Sequence, residues 1–467
     1  MPQKLTTDYL IIGSGAMGMA FADILLKEIQ ANIIIVDRFA KPGGHWNLAY
    51  PFVTLHQPSA FYGVSSKELS HGRIDNLGLN KGLADLATGS EVMTYFEDVM
   101  QQTFLPSGRV QYFPLCEYKG QGKFTHKLSG DTYEVEYTKR VDCTYLNTTV
   151  PAAHTPNFNV ADGVRFMPIN ELTNIAEPPD DYVIIGGGKT GVDACLWLLE
   201  NGVNPDNISW VISRDAWMLD RRNTQTGDDF FLDTIGAQAN QFEAIASAKS
   251  PEEMFENLEA CGYFLRLDKN VTPQMFHGAT ISQLELEQLR RIKTIIRMGH
   301  VTKISAKKMV LEQGEIAATP NTVFVDCSAS AISDYQGEID VFDGDLITPQ
   351  MVRSYQPVFS AAFIAHIEAT RETEAEKNEY CKVVPIPDTL QDYMRFTLAF
   401  MMNQQKWGQD PELRKWLMNN RLDGFSKLVA NSDKKDKEKM AVLAKLRDNA
   451  MPAAMKLMQF IAETKSK

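Results

Sequence analysis

The sequence predicts an α/β fold in which one parallel-sheet unit is inserted into another, with a helical insertion and a helical C-terminal region. Two observations carry the α/β part. The apolar run Tyr9-Leu10-Ile11-Ile12 leads straight into Gly13-Ser14-Gly15-Ala16-Met17-Gly18. The same arrangement returns where Asp181-Tyr182-Val183-Ile184-Ile185 leads into Gly186-Gly187-Gly188-Lys189-Thr190-Gly191. Each is a strand of the kind buried on both faces, closed by G-x-G-x-x-G and followed by small and apolar residues at helical spacing. A third observation accounts for the helices: patterns rich in Glu, Leu and Gln, such as Ile281–Met298, run from Asp228 to Arg297, and helix-like stretches return from Asp388 to Lys467.

In the first unit Gly13 permits the tight turn and Gly15 removes the Cβ that would stand between backbone and a pyrophosphate. Gly18 lets the helix pack closely on the strand. The helix N-terminus then offers unpaired N–H groups, including those near Ala16 and Met17, to the phosphates. Helical spacing from Met19 to Ile29 is followed by a second strand, Asn32–Val36. Asp37 stands at its end, about twenty residues beyond Gly18, where an acid accepts hydrogen bonds from a ribose diol. The expected contact set is Gly13, Ser14, Gly15, Ala16, Met17, Gly18, Asp37 and its neighbour Arg38.

The second unit repeats the order. Its helix, Val192–Asn201, ends at Gly202, a residue suited to a helix C-terminus, and a strand over Ile208–Ile212 leads to Ser213-Arg214. The expected contacts are Gly186, Gly188, Lys189, Thr190, Gly191 and Arg214. An arginine here grips a 2′-phosphate with a planar fork, which favours NADP(H) over NAD(H) and leaves NADH as the alternative. Gly188-Lys189-Thr190 is not a Walker loop, because the required earlier glycine position is Val183.

The segment after the first unit, Lys41-Pro42-Gly43-Gly44-His45-Trp46 running into Tyr50-Pro51, resembles that of the flavin-containing and Baeyer–Villiger monooxygenases. Their first Rossmann unit is followed by Gly-Gly-x-Trp and Tyr-Pro, and the resemblance covers roughly residues 8 to 335. It implies an FAD-binding Rossmann-like domain with an inserted, second Rossmann-like NAD(P)-binding domain. It further implies FAD in the first unit, with Gly44, His45, Trp46 and Gln57 close to the flavin. The reaction implied is NADPH-dependent oxygenation of a small organic substrate by O2, through a peroxide of the flavin. Where the Baeyer–Villiger branch carries an aspartate near the flavin, this chain has His56, the candidate catalytic residue; support of a loop is its plainer role.

The resemblance is partial elsewhere. The family fingerprint Phe-x-Gly-x-x-x-His corresponds to Phe158–Val164, where Val160 and Val164 stand at the glycine and histidine positions. Val141-Asp142-Cys143-Thr144 and Val325-Asp326-Cys327-Ser328 stand where the family has strands ending in Ala-Thr-Gly. The expected domains are 1–165 (FAD, first part), 166–325 (NAD(P), with a helical insertion at about 228–297), 326–385 (FAD, second part) and 386–467 (helical).

Composition narrows the partners. The 467 residues carry 47 basic and 59 acidic side chains, a net charge of −12, which disfavours a nucleic-acid surface. No apolar run approaches the roughly 20 residues of a membrane span, and the polar start Met1–Asp8 does not read as a signal peptide, so a cytoplasmic location is expected. The six cysteines form no Cys-x-x-Cys pair, which argues against a dithiol reductase, and the eight histidines lack metal-ligand spacing. Three functions remain open: a monooxygenase, a flavin oxidoreductase that inserts no oxygen, and a non-catalytic nucleotide-binding protein. The oligomeric state is not readable.

Overall fold

A computed structural model describes residues 2–146, 148–329 and 337–465. The expected segment 326–385 and the resemblance limit at 335 therefore fall partly on positions outside the described residues.

The first sheet has a parallel core in the order Leu346–Ile347, Thr132–Asp142, Gln3–Ile12, Ile33–Val36, Val110–Phe113. The strand end Leu10-Ile11-Ile12 and all of Ile33–Val36 are buried, as the unbroken apolar runs require. Helix Ala16–Glu28 packs on helix Pro357–Thr370, whose stretch Val358–Ala365 is wholly buried. The second sheet is entirely parallel: Arg165–Pro168, Val323–Asp326, Tyr182–Ile185, Ile208–Val211, Thr294–Ile296. Helix Lys189–Glu200 follows its central strand and stops at Gly202, whose φ of +82° explains the glycine.

The region 228–297 is mixed rather than helical throughout. Phe231–Ser247 and Pro251–Ala260 are helices, but Phe264–Leu265 and Met275–Ile281 pair with Ala216–Asp220 in a three-stranded sheet. The helical pattern read over Ile281–Met298 holds only for Gln283–Leu289. Ser282 and Glu285 form a capping box that starts this helix, and the β-branched run Thr294-Ile295-Ile296 is taken up by the second sheet.

Helix Phe231–Ser247 lies against the long helix Lys437–Lys465, and these two pack with Leu390–Gln409 around an aromatic core that includes Trp217, Phe255, Phe264, Phe276 and Tyr393. Between the last helices, Arg421 donates to the carbonyls of Ala60, Tyr62, Val64 and Lys67. The C-terminal region is thus tied to the loop that follows the first glycine-turn unit.

Candidate functional site

Both glycine turns sit at the C-terminal ends of the central parallel strands, where α/β sheets bind ligands. In the first turn Gly13 has φ +96°, and its N–H donates to Val36 O at 2.8 Å. A Cβ on Gly18 would lie 2.0 Å from Gly13 O, so helix and turn meet at a distance only glycine allows. In the second turn Gly186 has φ +130° and donates to Val211 O at 3.1 Å, and a Cβ on Gly191 would lie 2.0 Å from Gly186 O. The backbones answer one another bond for bond.

The closing strands repeat the echo. Cys143 N donates to Ile12 O at 3.0 Å, and Cys327 N to Ile185 O at 2.8 Å. Asp142 Oδ1 accepts from Thr144 N and Oγ1 at 3.0 and 2.6 Å. Asp326 Oδ1 accepts from Ser328 N and Oγ at 2.9 and 2.6 Å. The two Val-Asp-Cys-Thr/Ser segments are therefore the same turn built twice, each beside its own glycine turn.

The first turn is covered by the Gly43–Gly44 segment. Gly43 N donates to Ser14 O at 2.8 Å, and Gly15 and Gly44 pack so closely that a Cβ on Gly44 would lie 2.9 Å from Gly15 Cα. Two facing glycines leave a backbone-lined cradle free of side chains. Asp37 is buried, 5% exposed, and turns inward: Oδ2 accepts from Ser14 N at 2.5 Å and Ser14 Oγ at 2.8 Å, and Oδ1 accepts from Phe39 N at 2.7 Å. Its neighbour Arg38 is exposed, over the Phe39 ring. Ala16 and Met17 open the helix with Gly15 at its N-cap. Further along, Ser354, Tyr355 and Gln356 follow the strand Leu346–Ile347 and lead into helix Pro357–Thr370. All three carry a buried side-chain oxygen without a protein partner.

The second turn is more open. Gly188 is exposed, and no heavy atom lies within 4 Å of where its Cβ would stand. Lys189 and Thr190 begin the helix. Lys189 Nζ is held by Asp193 one turn on, and Asp193 Oδ2 accepts from Tyr50 Oη at 2.5 Å. Burial and the Asp193 carboxylate push the Tyr50 phenol well above its ordinary range, so it stays a donor. This contact, with Phe52 stacked on Trp197 at 4.8 Å, joins the segment after the first turn to the helix of the second. Tyr50 and Asp193 are partners that sequence reasoning missed; the Lys189–Asp193 spacing of four was the one local signal.

Trp46 donates from Nε1 to Tyr62 Oη at 2.7 Å and stacks with His45 at 5.6 Å. His56 and Gln57 follow in the same loop. The His56 carbonyl accepts from buried Arg221 Nε at 2.9 Å, while Arg221 pairs with Glu285 at 2.8 Å. Burial lowers the His56 ring well below the ordinary imidazole range, helped by the charges of Lys189 and Arg221. The loop therefore carries an imidazole held neutral near Lys189 and Arg221. Arg214 is exposed beyond the strand Ile208–Val211, its guanidinium 3.9 Å from Asp388. Among the described residues no metal-binding group occurs and no helix is long and apolar enough to cross a membrane.

Fold and turns define a two-unit Rossmann-type α/β protein with paired glycine turns. The chain belongs to the family of the mycobacterial proteins Rv2000 of Mycobacterium tuberculosis and Mb2023 of Mycobacterium bovis, to each of which it is 47% identical over 431 residues. The match spans 91% of this chain and 79% of each relative, and neither relative's name states an activity. No family model matches the sequence. Among solved structures, the chain is similar to an oxidised steroid monooxygenase bound to NADP (12% identity, 78% of this chain and 85% of that one, TM-score 0.49). It is also similar to cyclohexanone monooxygenase in an open form (13%, 81% and 92%, TM-score 0.48) and to a flavin monooxygenase from Stenotrophomonas maltophilia (13%, 81% and 99%, TM-score 0.45).

Proposed function

We propose that this protein is an FAD-dependent oxidoreductase that takes its electrons from NADPH and acts as a monooxygenase on a small organic substrate. The observation that carries the reading is the duplicated turn: two glycine cradles of one backbone design, joined through Tyr50 and Asp193, one closed by an acid and one by an exposed cation. The residues fit the groups. The facing Gly15 and Gly44 suit a pyrophosphate, and Asp37 stands at the strand end where an acid meets a ribose. Gly186, Gly188, Gly191 and the helix N-terminus suit the second pyrophosphate, with Lys189 and Thr190 at its edge and Arg214 for the 2′-phosphate.

FAD, when bound, supplies the acceptance of a hydride and the reaction with O2. The chain's own residues then have separate tasks. The Gly43–Gly44 segment keeps side chains off the first turn. Tyr50 holds Asp193, which fixes Lys189 and with it the start of the second helix. His56, neutral at physiological pH, holds one proton on its ring and is the group available to move one at the junction. The sequence has no Cys-x-x-Cys spacing of the kind that carries electrons onward in dithiol reductases.

A second reading has a specific observation behind it. Val160 and Val164 occupy positions where the resembling monooxygenases have glycine and histidine, which favours a flavin oxidoreductase that inserts no oxygen. Aerobic NADPH oxidation by the FAD-loaded protein, run under labelled O2 over a panel of ketones, amines and sulfides, separates the readings. Label in product is the expected result. Turnover without label supports the second reading, and tight FAD without turnover leaves a nucleotide-binding protein.

A further inference from the structure

Arg214 is not alone at the end of its strand. Its Nη2 lies 3.9 Å from Asp388 Oδ1, and His277 Nε2 meets that same oxygen. The three side chains are 42%, 44% and 38% exposed, so the group is open to solvent and to a ligand. The nearby cation Arg297 is already engaged by Asp215, at 2.7 and 3.0 Å, and by Asp268 at 3.6 Å. Arg214 has Asp388 as its one ion-pair partner among the described residues.

Asp388 is fixed by its backbone. Phe276 N donates to Asp388 O at 3.1 Å, Thr389 bridges to Met275, and Thr389 caps helix Leu390–Gln409 with a capping box. The C-terminal helical region therefore lays one carboxylate across a guanidinium and an imidazole contributed by the second unit. Both are groups that would otherwise face an anion.

We propose that Asp388 is a built-in competitor for the 2′-phosphate and that, with His277, it sets the choice between the two nicotinamide dinucleotides. The inference rests on the reading of the second glycine turn as a dinucleotide site. A 2′-phosphate reaching Arg214 must displace the Asp388 carboxylate and meets its like charge. A 2′-hydroxyl meets an acceptor instead. With the carboxylate moved aside, Arg214 and His277 become two donors for one phosphate. Preference for NADP(H) is then held below what Arg214 alone would give.

The test is equilibrium binding of NADP+ and of NAD+ to the full chain, for wild type, Asp388→Asn, Arg214→Ala and the double variant. Asp388→Asn should tighten NADP+ about 5- to 30-fold, the lower range for a like charge at an exposed site, with NAD+ unchanged or weakened. The gain should vanish in the double variant. His277→Gln, a milder change that leaves the capping box of Thr389 and Asp392 in place, should weaken NADP+ alone and serves if Asp388→Asn does not fold. An unchanged NADP+ to NAD+ ratio in Asp388→Asn and His277→Gln, with both dinucleotides bound, overturns the competitor role. Binding of neither dinucleotide to wild type overturns the underlying reading instead.

Discussion

In the first unit the Gly13 N–H reaches Val36 O, and in the second the Gly186 N–H reaches Val211 O. This register makes Ser14 and Gly187 counterparts, and likewise Asp37 and Ile212. In the first unit the pair is polar: the Asp37 carboxylate holds both the N–H and the hydroxyl of Ser14. In the second it is apolar, and a Cβ on Gly187 would stand 3.0 Å from Ile212 Cγ2. The cation of the second unit, Arg214, lies two residues past the position of the acid. One backbone design thus carries a buried negative charge in one copy and an exposed positive one in the other. The glycines set the turn, and the pair closing the strand is polar in one copy and apolar in the other.

The largest effect tests what the copies share. Gly18→Ala and Gly191→Ala each drive a Cβ to 2.0 Å from a backbone carbonyl that cannot move alone. Each should cost at least about 4 kcal/mol or prevent folding, by thermal denaturation. Tolerance at one site but not the other would break the equivalence.

Next come the middle glycines, where the copies should part from the outer ones. A Cβ on Gly15 meets Gly44 Cα at 3.5 Å, an ordinary contact, and one on Gly188 meets nothing. Gly15→Ala and Gly188→Ala should keep stability within about 1 kcal/mol. The first should lower FAD occupancy, read from flavin absorbance, and the second should weaken NADP+ binding, each without affecting the other nucleotide. A crossed pattern would reassign the two turns.

Asp37→Ala removes the partner of Ser14 and should destabilise by about 1.5–3 kcal/mol, the range for hydrogen bonds to a charged group. Ile212→Val, at the matching position, should cost about 0.5–1.5 kcal/mol as a lost methylene. Urea unfolding of both variants measures the contrast between a polar and an apolar strand end.

The last effect is in pH and vanishes at neutrality. The folded His56 ring titrates well below its unfolded value of 6.5, so its contribution is fully present above that value and is lost as pH falls below it. Each pH unit in that window should remove up to about 1.4 kcal/mol. His56→Gln should flatten this part of the stability curve. An unaltered slope would mean that another group takes up the proton.

Much of the two turns was legible in the sequence because it is local. The apolar run before each glycine set, the G-x-G-x-x-G spacing and Gly202 after the helix all depend on neighbours within a few residues. So does the Val141–Thr144 and Val325–Ser328 echo, whose aspartates bond two residues on. What escaped depends on distant partners. Asp37 spends its carboxylate on Ser14, 23 positions back, Tyr50 finds Asp193 across 143 positions, and Asp388 meets His277 across 111. The helical pattern over Ile281–Met298 failed for a related reason. Thr294–Ile296 is drawn into the second sheet by Ser209–Val211, and no local pattern carries that pairing.

The Arg421 contacts bear on the order in which the chain is made. The carbonyls of Ala60, Tyr62, Val64 and Lys67 bracket the hairpin Gly63–Val64/Lys67–Glu68, and their donor lies 354 to 361 positions downstream. During synthesis this hairpin leaves the ribosome early; Lys67 O has Tyr95 Oη as a donor at 2.6 Å, but the carbonyls of Ala60, Tyr62 and Val64 lack their Arg421 donor until that residue arrives. The first glycine-turn unit therefore has a loop whose final ordering waits on Arg421. A nascent chain halted before Arg421 should expose residues 60–68 to protease while the strand Ile33–Val36 behind them is already protected.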